Sequence, residues 1–282
     1  MDECIHGFDD GLCAICFPPK APEPPAPESP KARAPRVSSR TSPTAAGAGG
    51  SRPKRGSTRA ARLADEPPVD PATLRVYHLT HLDNLARILG SGALLADAGD
   101  PLAAPVVDIS APAAREYRRS TPAGEPDSTL AEYVPFFLSV DAHLWMAIRD
   151  GAVDPRLSSP AADESRAPAD FVLLVSSAAQ AAGARVSQPG HVIAATSDAS
   201  LPGAELAVGW YEAERVLRRM AVDDEGLAAG EFLVKGEVPL ERIQLVAVAN
   251  DRVRDRVRAA LSAVGAKTRV AVYPPWFQAS EA

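Results

Sequence analysis

After Cys16 the chain contains no cysteine. It also has no apolar run approaching the ~18 residues that a membrane span requires. The longest runs, such as Phe171–Val175 and Leu245–Ala249, are strand-sized. The opening residues, MDECIHGFDD, are acidic and lack the apolar centre of a secretory signal. No Gly-Lys-Ser/Thr phosphate loop occurs, and no Gly-x-Gly pattern follows a strand in the register of a dinucleotide-binding turn. Internal repeats are missing, and the composition excludes collagen-like, mucin-like and coiled-coil chains. These absences predict a soluble, cytoplasmic protein with no membrane partner. Its 282 residues leave room for one well-cored domain plus appendages.

What is present is unevenly spread. Residues 1–30 hold six acids and one Lys, and residues 31–62 hold nine Lys/Arg and no acid. The remaining 20 basic and 30 acidic residues lie in 63–282, so the net charge of −6 conceals a basic tether on an acidic body. Thirteen of the 27 prolines fall between Pro18 and Pro71. Three parts follow: 1–17, 18–70 and 73–282.

In the first part Cys4, His6, Cys13 and Cys16 form a C-x-H-x6-C-x2-C pattern. A closed Cys3His set suits structural Zn²⁺, and so short a segment would draw its folding energy from the metal. The alternatives are a redox CxxC, which normally opens a helix in a thioredoxin-like βαβ context that is missing here, or unstructured cysteines. The segment resembles short CIHG…CxxC zinc-ribbon-like tags. The second part is rich in Pro, Ala, Ser and Gly, has no apolar periodicity, and is expected to be a disordered linker. Its basic section, from Lys31 to Arg62, reads either as an arm for phosphate backbones or as a solubilising spacer.

The third part predicts strands at Arg75–Leu79, Val134–Ser139, Phe171–Ser176, Val192–Ala195, Glu231–Lys235, Gln244–Ala249 and Thr268–Tyr273. Helices are expected over His81–Leu89, capped by Thr80, and over Asp141–Arg149, Tyr211–Met220 and Asp251–Val264. Short strands with irregularly interposed helices indicate an α+β fold.

Three stretches carry candidate chemistry. In Tyr77–Leu85, two His, a Thr, an Asp and an Asn crowd a strand end and a helix start, a natural seat for phosphate or amide groups. The bland reading of either histidine is a satisfied core residue. In Arg115–Arg119, three arginines stand out within an acidic domain and can pair bidentately with phosphate, although a solvated helix face explains them equally. Tyr133–Phe137, YVPFF, is mostly core but suits the wall of a flat pocket. In Gly230–Lys235, a carboxylate opens an apolar strand, placed to be held at the core edge while reaching a substrate. Taken alone, that position is usually structural.

The order and wording of these stretches resemble the DarT-type DNA ADP-ribosyltransferases. The matching residues are Tyr77-His78-Leu79-Thr80-His81-Leu82-Asp83-Asn84-Leu85, Arg118-Arg119, Tyr133-Val134-Pro135-Phe136-Phe137 and Glu231-Phe232-Leu233-Val234, then Val238-Pro239-Leu240 and Ile243. The resemblance spans about 75–275. It implies an ADP-ribosyltransferase-like split β-sheet core with flanking helices around an NAD⁺ cleft. It also implies transfer of ADP-ribose to thymine in single-stranded DNA, commonly by a toxin whose mark a macrodomain antitoxin removes. By the same resemblance Glu231 is the catalytic carboxylate, and Arg118 or Arg119 binds phosphate or polarises the reaction. His78 and Thr80 contact the nicotinamide–ribose end and Asn84 helps seat NAD⁺, with Tyr77, Leu85 and Arg115 counted in the cofactor-binding set. The sequence departs from the family at Thr196–Ser200, which lacks a family histidine, at Gly230, where the family has Ala, and at Phe136-Phe137-Leu138. Two other readings remain open: the same chemistry on another base, RNA or protein, and a non-catalytic binding module on a transferase scaffold.

Overall fold

The structure is a computed structural model and describes residues 69–98, 104–159 and 166–279. The Cys4, His6, Cys13 and Cys16 set and the linker expected at 18–70 lie outside these residues, apart from the linker's last two positions. Among the described residues, ten strands form a mixed α+β core. Eight of them make one sheet, in the order β10-β9-β4-β1-β3-β7-β5-β6. These are β1 (Arg75–His81), β3 (Tyr133–Phe137), β4 (Phe171–Ser177), β5 (Val192–Ala195), β6 (Leu206–Val208), β7 (Glu231–Lys235), β9 (Leu245–Val248) and β10 (Arg269–Val272). A two-stranded ribbon pairs β2 (Ala93–Leu95) with β8 (Glu237–Pro239). All pairs are antiparallel except β9–β10. Among the described residues no helix is long and apolar enough to cross a membrane.

The central strands are apolar on both faces, as expected for strands covered on both sides. One face joins Val76, Val134, Phe136, Val172, Phe232 and Val234 into a single large cluster with the flanking helices. These helices include α1 (Leu85–Ser91), α4 (Ala178–Ala182), α5 (Trp210–Met220) and α7 (Asp251–Ala263). The opposite face carries two separate clusters. Tyr77, Phe137, Phe171 and Leu173 pack with Trp145 of α3 (His143–Arg149), whereas Tyr133, Ile193, Ala195 and Leu233 pack with Leu130. Glu231 alternates onto this second face with Leu233, and so falls between the two clusters.

The sheet is split at its centre. β1 pairs with β4 through seven facing residues, but with β3 through one, Tyr77 opposite Phe137. Pro135 supplies a physical reason. In an antiparallel strand the N–H and C=O of one residue face the same neighbour. The Pro135 carbonyl faces β1, where it accepts from the His78 ring at 2.9 Å, and the nitrogen beside it has no hydrogen to give. The ladder cannot close there, and a side chain bridges the gap instead.

Most expected elements form within a residue or two of their expected bounds. The exception is the junction after β1, where the helix expected from His81 begins only at Leu85. The strand runs on to His81, and His81, not Thr80, is the cap: its Nδ1 accepts from the Asp83 N–H at 3.2 Å at the start of a 3-10 turn, Leu82–Asn84. Extended backbone therefore carries Thr80 into the strand, beyond its expected end at Leu79.

Candidate active site

A cavity of about 300 Å³ opens through the split. Of the residues singled out from sequence, Tyr77, His78, Thr80, Asn84, Arg115, Arg118 and Glu231 line it. Leu85 and Arg119 do not. Leu85 opens α1 and is buried in the large cluster. Arg119 is 41% exposed at its side chain and lies 3.1 Å from Asp97.

Helix α2 (Pro112–Ser120) carries all three arginines. Arg115 and Arg118, three positions apart, share the face turned to the cavity. Arg115 is held by ion pairs to Asp108 and Asp97. Arg118 reaches further in: its Nη1 stands 3.6 Å from Glu231 Oε2, and its Nη2 faces the carbonyls of Leu130 and Tyr133 at 3.4 Å.

Glu231 is 4% exposed. Its Oε2 accepts from the Ala199 N–H at 3.0 Å, so both of these contacts fall on one oxygen. Burial pushes its carboxyl up to about 7, and the charge of Asp198 pushes the same way. Arg118, the Ala199 N–H and Arg156 pull it down and prevent a larger rise. A carboxylate poised near neutrality is suited to hold charge in one step and accept a proton in another.

The β1 polar residues play distinct parts. A carbonyl only accepts, so the His78 bond to Pro135 fixes the hydrogen on Nδ1 and leaves Nε2 as an acceptor. Burial lowers the His78 pKa and the bond to Pro135 opposes this, giving a net fall that keeps the ring neutral. The side chain of Asn84 pairs with the backbone of Val107: Nδ2 donates to the carbonyl at 2.9 Å and Oδ1 accepts from the N–H at 2.8 Å. Asn84 Nδ2 also faces Thr80 Oγ1 at 3.3 Å. Asn84 thus fastens the segment around Val107, and both residues line the cavity.

Sequence reasoning missed Asp154, Arg156 and the part played by Asp198. Arg156 Nη1 donates to Asp198 Oδ2 at 2.8 Å, while its Nε and Nη2 form a fork on Asp154 at 2.8 and 2.6 Å. Arg156, Asp198 and Ser200 all line the cavity. No local pattern marks Asp154-Pro155-Arg156 as anything but a turn, and its partner lies 42 residues away. Among the described residues there is no group of three or more His, Cys, Asp or Glu arranged to hold a metal ion.

Residues 77–187 and 224–278 match the family described as ssDNA thymidine ADP-ribosyltransferase, DarT. The chain belongs to the DarT family. As a member it is an enzyme, an NAD⁺-dependent ADP-ribosyltransferase of DNA. A "DNA ADP-ribosyl transferase" of Mycobacterium tuberculosis (strain ATCC 25618 / H37Rv) is 25% identical over 210 residues, covering 71% of this chain and 86% of the relative. The Thermus sp. 2.9 DarT in complex with ADP-ribosylated ssDNA is 25% identical, with a TM-score of 0.58 over 73% of this chain and 97% of that one. The same Thermus protein in complex with NAD⁺ superposes with a TM-score of 0.55 at 23% identity, over 74% of this chain and all of that one, a likeness of fold. The family match omits 188–223, which contains β5, β6, α5 and the Asp198 loop.

Proposed function

We propose that this DarT-family chain transfers ADP-ribose from NAD⁺ to thymine in single-stranded DNA, with Glu231 as the catalytic carboxylate and Arg118 as its cationic partner. The observation that carries this reading is the Glu231–Arg118 pair at 3.6 Å on the wall of the split. The cavity suits a nucleotide: Arg115 and Arg118 offer charge to a pyrophosphate, and His78 Nε2 offers an acceptor. Aromatic and aliphatic side chains such as Tyr77 and Leu94 supply apolar wall.

Cleavage breaks the bond between the ribose C1′ and the pyridinium nitrogen, and nicotinamide leaves neutral with the electron pair. Positive charge grows on the ribose, and ionised Glu231 steadies it across a dry, low-dielectric gap. A ring nitrogen of the base then bonds to C1′ and gives up its proton, which Glu231 can accept at a pKa near 7. The test is incubation with NAD⁺ and single-stranded oligonucleotides, with and without thymidine. An added ADP-ribose mass is expected only on the thymidine-containing strands. Equal labelling of both sets, or of protein instead, would reject the acceptor.

Such an activity fits a cytoplasmic toxin whose mark a macrodomain partner removes. Cys4, His6, Cys13 and Cys16 are proposed as a structural zinc site on ligand type and spacing. About one zinc per chain is expected in the purified protein, lost in Cys13→Ser, and unchanged metal content in that variant would dispose of the site.

A further inference from the structure

The loop that holds Glu231 is itself held. Asp198 Oδ1 accepts from the Ser200 N–H at 2.8 Å and from Ser200 Oγ at 2.5 Å, closing a tight turn around Ala199. Asp198 Oδ2 takes Arg156, and Arg156 is locked by its fork on Asp154. Side-chain exposures of 10%, 12% and 7% for Arg156, Asp154 and Asp198 make this a buried network with little solvent screening. The Arg156 backbone acts separately. Its carbonyl accepts from the Ala111 N–H at 2.7 Å, tying down the entry to α2, which carries Arg118.

We propose that Arg156 is a positioning residue for Glu231, acting through Asp198 to fix the Ala199 N–H against Glu231 Oε2. The inference rests on the reading of Glu231 as the catalytic carboxylate. The Asp198 loop lies in the stretch that the family match omits, whereas Asp154 and Arg156 lie within the matched residues. The fork matters because a guanidinium can engage two carboxylates at once in fixed geometry, which an ammonium cannot.

The charged groups around Glu231 are few. Asp198 stands on its loop, Arg156 and Asp154 on the segment opposite, and Arg118 on α2. The neighbouring-strand residues facing it, Phe137 and Ala195, carry no charge. His78, across the cavity, is neutral. Arg156 lowers the Glu231 pKa and Asp198 raises it. Removing each therefore has opposite consequences, which a merely structural role would not produce.

The experiment is the pH profile of kcat/KM for transfer, measured on Arg156→Gln, Arg156→Lys and Asp198→Asn, with thermal melts to confirm folding. In Arg156→Gln the acid limb is expected to move up by about 0.5–1 unit. Its kcat is expected to fall about 10–100-fold with KM for NAD⁺ nearly unchanged. In Asp198→Asn the limb is expected to move down. Arg156→Lys is expected to restore the limb position but only part of kcat. Shifts of the same sign, no shift, or a rise in KM with kcat intact would overturn the inference, the last by making Arg156 a direct ligand. High activity in Glu231→Gln would instead overturn the reading of Glu231, so the two failures are distinguishable.

Discussion

Glu231→Gln is expected to lower ADP-ribosyl transfer by about 10³–10⁴-fold, because in the proposed mechanism one substitution removes both a charge stabiliser and a proton acceptor. The replacement is nearly isosteric, and its carbonyl oxygen can still accept from the Ala199 N–H. NAD⁺ affinity should therefore stay close to that of the parent. The same variant should be more stable at alkaline pH. The folded-state pKa of Glu231 is raised from 4.5 to about 7, so the fold favours the protonated form. Its stability contribution is complete below about 4.5 and is lost as pH rises through 7, an amount on the order of 3 kcal/mol. Gln escapes that loss. Its melting temperature should exceed the parent's by several degrees at pH 8 and match it near pH 4.5. Loss of activity with a gain of stability marks a residue kept for chemistry. A variant retaining a tenth of parental transfer, or one destabilised at pH 8, would refute the assignment.

Arg118→Gln is expected to slow transfer about 10²-fold. The guanidinium is the cation at 3.6 Å from Glu231 and one of the forces holding its pKa down. In the parent, kcat/KM should rise with pH through a limb near 7, where Glu231 ionises. Without Arg118 that limb should move to higher pH, since burial and Asp198 then act with less opposition. Arg119→Gln is the control: its guanidinium pairs with Asp97 on an exposed surface, and its loss should leave both rate and limb in place. If Arg119→Gln proves as damaging as Arg118→Gln, or the limb stays at its parental pH in Arg118→Gln, the pairing has no catalytic meaning.

Several of the residues that line the cavity were legible because the stretches that carry them are local. The EFLV strand keeps Glu231 at the first position of β7, as the apolar run after a carboxylate indicates. The YH-x-TH-x-DNL stretch forms a strand running into a helix, with Thr80 and His78 on one face. One assignment failed where a capping role competes between neighbours. Thr80 and His81 can each accept from a free N–H, and only the pull of seven β4 partners along β1 moves the strand end to His81. Short elements such as β2, β6 and β8 also escaped notice. Three residues hold no periodicity, and each exists because a partner strand or the sheet edge pairs with it.

The sequence by itself determined the identity of the seven longer strands, the carboxylate that opens β7 and the wording shared with the DarT family. Periodicity and strand-edge chemistry are written over a few adjacent residues, so they survive without knowledge of the fold. Tertiary structure decided where the sheet splits, which of Arg115, Arg118 and Arg119 meets Glu231, and that Arg156 closes on Asp198. Spacing along α2 places arginines three and four apart on neighbouring faces but leaves open which way the helix is turned against the sheet. That rotation is held by contacts from distant segments, the Ala111 N–H on the Arg156 carbonyl and Arg118 on the Leu130 and Tyr133 carbonyls, and the Arg156–Asp198 pair likewise joins positions 42 residues apart.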